Sequence, residues 1–187
     1  VGLGVLLGLG LFGGAGGGGG GSSPATRASA GATATELAAK DLLPVLTDLG
    51  FRQTTPETLP GTGALDLAFS VYERAEAPRA QARVEVRVYP DESAARSDFK
   101  AQAEGWKNPP PGLFGGDPAN VDGPALAGMD QATAYLATNR DPQGFRLWTD
   151  VFRIGRVIVV AHALGQNEAD VTPIRTAVGE RMLDALR

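Results

Sequence analysis

The chain has 187 residues, 43% of them hydrophobic and 20% charged, with 17 Lys and Arg against 21 Asp and Glu and a net charge of −4. That balance, with no basic cluster, excludes a nucleic-acid partner. Cysteine is absent, which excludes disulfides, thiolate metal sites, cysteine nucleophiles and a lipid-modified cysteine.

Residues 1–12 are apolar and uncharged, and a glycine tract from Gly13 to Gly21 follows, closing on Ser22 and Ser23. This reads as a hydrophobic anchor and a flexible tether. At about 12 residues the apolar run is short of the roughly 20 that span a bilayer. It is therefore either the remainder of a longer helix or the core of a signal peptide, with Ala28, Ser29 and Ala30 as a small-residue cleavage site. The first residue is Val rather than Met, so an upstream stretch is expected. The expected boundaries are 1–32 for anchor and tether and 33–187 for a single domain of about 150 residues, enough for one core.

Thr33 and Glu36 have capping-box spacing, which predicts a helix to Leu49 with Leu42, Val45, Leu46 and Leu49 as its apolar stripe. Pro44 must kink or restart it, and Gly50 is a left-handed stop. Residues 51–63 read as loop. Leu65, Leu67, Phe69 and Val71 then alternate with Asp66, Ala68, Ser70 and Tyr72, and Val84, Val86 and Val88 alternate with Arg83, Glu85 and Arg87. Period-two patterning predicts two antiparallel strands with one face in water, which puts the Arg83, Glu85 and Arg87 row in solvent. Asp91 caps a predicted helix to about Glu104, with Ala95, Phe99 and Ala103 on one side and Gly105 as the stop. Residues 106–130 read as a Pro/Gly-rich loop carrying Trp106, Leu113, Phe114, Leu126 and Met129.

Strand signals return at 132–137, 145–154 and 157–164. Gly155 supplies the positive φ of a two-residue hairpin, pairing Phe152 with Val159, Asp150 with Ala161, Thr149 with His162 and Trp148 with Ala163. Thr172 and Pro173 read as the N-cap and first residue of a final helix, with Ile174, Val178, Met182 and Ala185 inward.

Few residues point to chemistry. His162 is the only histidine, and no G-x-S-x-G elbow exists for a serine nucleophile. Inside an apolar strand it reads as a packed, hydrogen-bonded residue, with ligand gripping as the second reading. One histidine cannot form a histidine metal cluster. Asn120, Asp122 and Gly123 suggest a calcium loop, but alignment puts Pro118 and Met129 where carboxylates are required. No metal or cofactor is expected. The long loop has more pull, because extended loops without structure act as lids or binding loops. Pro109 to Pro111 stiffen it, and the candidate ligand-binding set is Trp106, Leu113, Phe114, Met129 and His162.

Several segments resemble exported bacterial lipoprotein-like and extracytoplasmic sensor-like domains: Leu42 to Pro44, the strand and helix from Val84 to Phe99, Ala127 to Ala132, Phe152 to Val160, and the closing helix. The third segment often reads Gly-Leu-Gly-Asp-Glu-Ala in such proteins; here Gln131 replaces the glutamate. The resemblance implies an antiparallel sheet backed by helices, outside the membrane, and it carries over no functional residue.

The resulting expectation is an α+β fold, an antiparallel sheet of about five strands with helices packed on it. The expected function is a membrane-tethered, non-enzymatic extracytoplasmic domain, secreted if the N-terminal segment is cleaved, that binds a small apolar ligand or a partner protein of the envelope. The alternatives are a hydrolase or transferase using Asp/Glu acid–base chemistry, which needs paired carboxylates in one pocket, and a purely structural envelope protein.

Overall fold

The computed structural model describes residues 37–186, apart from 61–62, 77–78, 108–118, 122, 124–125 and 138. The anchor, the tether, the Thr33–Glu36 cap, Leu113 and Phe114 lie outside these residues. Among the described residues, eight strands form one open antiparallel sheet. Five are long: β3 (Asp66–Arg74), β4 (Ala80–Val88), β6 (Gln131–Leu136), β7 (Arg146–Ile154) and β8 (Val157–Gly165). Three have two residues each and sit at the edges: β1 (Arg52–Gln53) and β2 (Glu57–Thr58) both pair with β3, and β5 (Ala119–Asn120) pairs with β6. The order is β1-β3-β4-β8-β7-β6-β5. The β7–β8 hairpin has the register expected from Gly155, whose φ is 56°, and includes Thr149 opposite His162.

Alternation along the strands gives the sheet two faces, each with its own helix. On the first face Val84, Val86, Val159, Trp148 and Phe152 pack against α2 (Glu168–Ala185), which contributes Ile174, Val178 and Met182. The N-terminal segment covers the rest with Leu42, Leu43, Leu46 and Phe51. Tyr72 donates a hydrogen bond to the Pro44 carbonyl at 2.8 Å and fixes that cover to β3. On the second face Ile158, Val160 and Val151 pack against Ala95 and Phe99 of α1 (Glu92–Lys107).

The N-terminal helix expected to Leu49 is instead two 3₁₀ turns, Ala39–Leu42 and Thr47–Leu49. Leu43 between them is extended, at φ −63° and ψ 126°, because the residue before a proline avoids the α region. Gly50 does end the second turn in the left-handed region, at φ 75°. Gly105 does not stop α1, which runs on to Lys107 and carries Trp106 on its last turn. The final helix starts four residues before Thr172, where Asn167 and Asp170 form a reciprocal cap, leaving Pro173 inside and Ala185 exposed.

The row Arg83, Glu85 and Arg87 is not a solvated face. Arg83 and Glu85 are each 6% exposed, and Glu85 bridges the two guanidiniums, at 3.1 Å from Arg83 and 2.6 Å from Arg87. β4 is buried along nearly its whole length on both faces, with the Phe69 ring against Arg83 and Asp98 of α1 against Arg87. Charge on a strand marks solvent only when nothing lies over it, and here pairing takes the place of hydration.

Candidate functional site

The second face has a chemically distinct strip running across the strands. Register places Val71, Arg83, His162, Thr149 and Tyr135 side by side on β3, β4, β8, β7 and β6. Directly opposed residues on one face sit close enough to interact, so the strip is fixed by strand pairing. The Arg83 guanidinium lies 4.2 Å from the Phe69 ring centroid, a cation–π contact. Thr149 Oγ1 and His162 Nδ1 are 3.0 Å apart. Trp106 meets the imidazole edge to face, with ring centroids 4.5 Å apart and an interplanar angle of 62°.

His162 is 1% exposed. Burial, reinforced by the positive charge of Arg83 and Arg87, pushes its pKa down to about 3. At neutral pH the ring is uncharged and has no proton to give as a general acid. It serves as a flat, neutral, hydrogen-bonded surface under Trp106. The carboxylates on this face are engaged too. Glu85 binds Arg87, and Asp98 of α1 lies 3.4 Å from Arg87 NH1 and accepts from the Tyr89 hydroxyl. Burial, with Asp98 beside it, raises the Tyr89 phenol above its ordinary range. Both carboxylates are therefore clasped by one guanidinium, a poor arrangement for the acid–base pair that hydrolysis needs. Among the described residues no three His, Asp or Glu side chains are grouped to hold a metal ion.

Beyond the α1 cover the same face becomes apolar along β3. Leu65, Leu67, Phe69 and Val71 project to it, and Leu59, beside Leu67, joins them. Leu65 is 66% and Leu59 42% exposed.

Of the expected ligand-binding residues, Trp106 and His162 are brought together. Met129 is not with them; it packs on the first face beside α2, its Cε 3.0 Å from the place a Gly179 Cβ would occupy. Sequence reasoning missed Arg83 as the cross-strand neighbour of His162, and Phe69 beneath its guanidinium. The Thr149–His162 pairing was readable from the hairpin, whereas the β4–β8 pairing that delivers Arg83 joins strands separated by most of the domain.

Asp130 and Arg153 tie two of the resembling segments into one clasp. Asp130 accepts from the Gly155 amide at 2.7 Å and pairs with Arg153 at 3.1 Å. Arg153 Nε donates to Gln131 at 2.7 Å. Those residues hold the β7–β8 turn.

Architecture and site define a class: an open antiparallel α+β sheet with a helix on each face and a paired polar strip on one of them. Among solved structures, the extracellular domain of PknH from Mycobacterium tuberculosis has this fold, with a TM-score of 0.56 and 15% sequence identity over 78% of this chain and 93% of that one. No family model matches the chain, and no curated protein matches it in sequence.

Proposed function

We propose that this chain is a membrane-tethered, extracytoplasmic, non-enzymatic domain that binds a small, largely apolar ligand on the second sheet face, at the seam between Trp106 of α1 and His162 of β8. The observation that carries the reading is the Trp106–His162 contact, where α1 ends over a neutral imidazole on the face that β3 lines with apolar side chains. Aromatic and aliphatic surface with a few fixed polar groups is what small-molecule sites are made of. The non-enzymatic reading is supported by the neutral, buried His162 and by the clasped Glu85 and Asp98. The extracytoplasmic placement is supported by the apolar segment and glycine tract of residues 1–21 and by the fold shared with an extracellular domain. Leu113 and Phe114, a few residues beyond Trp106, remain part of the proposed contact surface.

The reading is tested with N-phenylnaphthylamine as an apolar probe, followed by fluorescence titration. Saturable binding is expected, weakened about tenfold in Trp106→Ala, since a well-packed aromatic contributes on the order of 1–2 kcal/mol. Arg181→Gln, on the exposed side of α2, should bind as the parent does. Absence of saturable binding, or equal affinity in Trp106→Ala, contradicts the site.

A further inference from the structure

Among the described residues, the exposed large apolar side chains are Val45, Leu59 and Leu65. Val45 lies between the two 3₁₀ turns of the N-terminal cover. Leu59 and Leu65 share a corner of the sheet. The Leu59 amide donates to the Leu67 carbonyl, and Leu65 lies two residues before Leu67 on the same face, so the two leucines are neighbours. Residues 58–65 carry no charge, and the sequence from 53 to 73 has no Lys or Arg. The carboxylate that follows them, Asp66, accepts a hydrogen bond from the Ala39 amide at 2.7 Å. That bond fixes where the N-terminal chain joins the domain, at the corner that carries Leu65. Upstream of Leu37 the sequence opens with the apolar run 1–12, and residues 13–36 lie between. A glycine-rich chain of that length has an end-to-end distance of about 27 Å. A bilayer that holds residues 1–12 therefore keeps this corner of the domain close to its surface.

We propose that the Leu59–Leu65 corner is a lipid contact, with both leucines seated at the headgroup–acyl boundary of the bilayer that holds the N-terminal segment. The contact rests on the membrane-tethered part of the reading above and is independent of the ligand seam at Trp106. Adjacent exposed leucines beside an anchor are suited to shallow insertion. Two leucines together shift a contact equilibrium on the order of 100-fold, too little to draw a free domain from dilute solution. A short tether supplies the rest, because it confines the corner at an effective concentration in the millimolar range. The absence of cations from 53 to 73, in a chain of net charge −4, fits zwitterionic rather than anionic lipid. A second copy of the chain is a poorer occupant. Leu67 and Val71 of the same face are already buried, and two leucines fall far short of the roughly 800 Å² per partner of a stable interface. Docked in this way, the domain turns the Asp66, Val88 and Val157 ends of its strands toward lipid. The opposite ends, at Arg74, Ala80, Gly165 and Arg146, point away.

The chain has no cysteine, so single cysteines carry a label to chosen places. Thr58→Cys is exposed beside Leu59, and Gln143→Cys is exposed in the turn before β7, at the far end of the strands. Each full-length variant is labelled with the environment-sensitive dye NBD and mixed with phosphatidylcholine vesicles, and flotation reports whether the chain is membrane-bound. The dye on Thr58→Cys should brighten with vesicles and be quenched by nitroxide lipid, while that on Gln143→Cys stays as in water. Adding Leu59→Ser and Leu65→Ser to Thr58→Cys should abolish the brightening and leave flotation unchanged. The two labels on the otherwise unmodified chain decide the matter without that variant. A floating chain whose Thr58→Cys dye stays dark overturns the lipid contact and leaves the tether standing; a chain that does not float overturns both. Equal brightening at both positions overturns the contact as general adsorption. Brightening of the Thr58→Cys dye without vesicles also overturns it: if independent of protein concentration, the corner is covered by residues 1–12, and if dependent on it, by a second copy.

Discussion

An imidazole held between Thr149 and Trp106, with two guanidiniums on the next strand, opposes its own protonation. In the unfolded chain His162 titrates near 6.5; in the folded protein its pKa is about 3. The unfolded state therefore binds more protons between those values. Stability is fully present above pH 6.5 and declines as pH falls toward 3, by up to several kcal/mol. Urea denaturation at pH 7.5 and 4.5 measures the slope, and His162→Gln should flatten it; an unchanged slope in that variant would assign acid sensitivity to other groups. Gly155 is a second residue whose conformation matters, because its φ of 56° is one a β-branched residue adopts only with strain while the space around it is open. Gly155→Val should lose about 1–3 kcal/mol, read by the same denaturation experiment, with the Asp130–Gly155 hydrogen bond at risk as well.

Between elements, Asp150 of β7 and Arg175 of α2 form a buried bidentate pair with both contacts at 2.7 Å. Breaking such a pair on one side leaves an uncompensated charge inside, so Asp150→Ala should cost about 3–5 kcal/mol, while Asp150→Leu combined with Arg175→Met should cost much less. Equal losses in the two variants would show that packing rather than charge governs this joint. The elements differ in how legible they were. The five long strands and the hairpin register follow from period-two patterning and one glycine, because those signals lie within a few residues of each other. Two-residue β1, β2 and β5 have no period to read. The start of α2 was hidden because Thr172 and Pro173 offer a locally good cap, yet the Asn167–Asp170 cap lies upstream and packing of Val171 on the sheet selects it. Gly105 failed as a stop because nothing requires it to leave the helix.

At the scale of the whole molecule, burial of charge was the least legible property. Arg83, Glu85 and Arg87 alternate with valines as an edge strand's residues would, and only long-range structure encloses them: pairing with β3 and β8 places Phe69 against Arg83, and α1 lies over Arg87. The same long-range pairing brings Arg83 beside His162, so half of the candidate site was unreadable until the topology was in hand. Domain organisation carries its own prediction. Deleting residues 1–32 should leave the melting temperature of the remaining domain unchanged, because a glycine-rich tether buries too little to offset its chain entropy. A fall of several degrees on calorimetry would mean that the segment is part of the fold.

The central claim is that ligand is taken up on the α1 side of the sheet, at Trp106 and His162. The chain has two tryptophans and one histidine, and Trp148 is buried on the opposite face among Phe152, Ile174 and Val178. An NMR titration of the unmodified chain with N-phenylnaphthylamine therefore has its own internal control. The account predicts saturable shifts of the Trp106 indole and the His162 imidazole with the Trp148 indole unmoved. Equal shifts of both indoles, or movement of Trp148 alone, would contradict it.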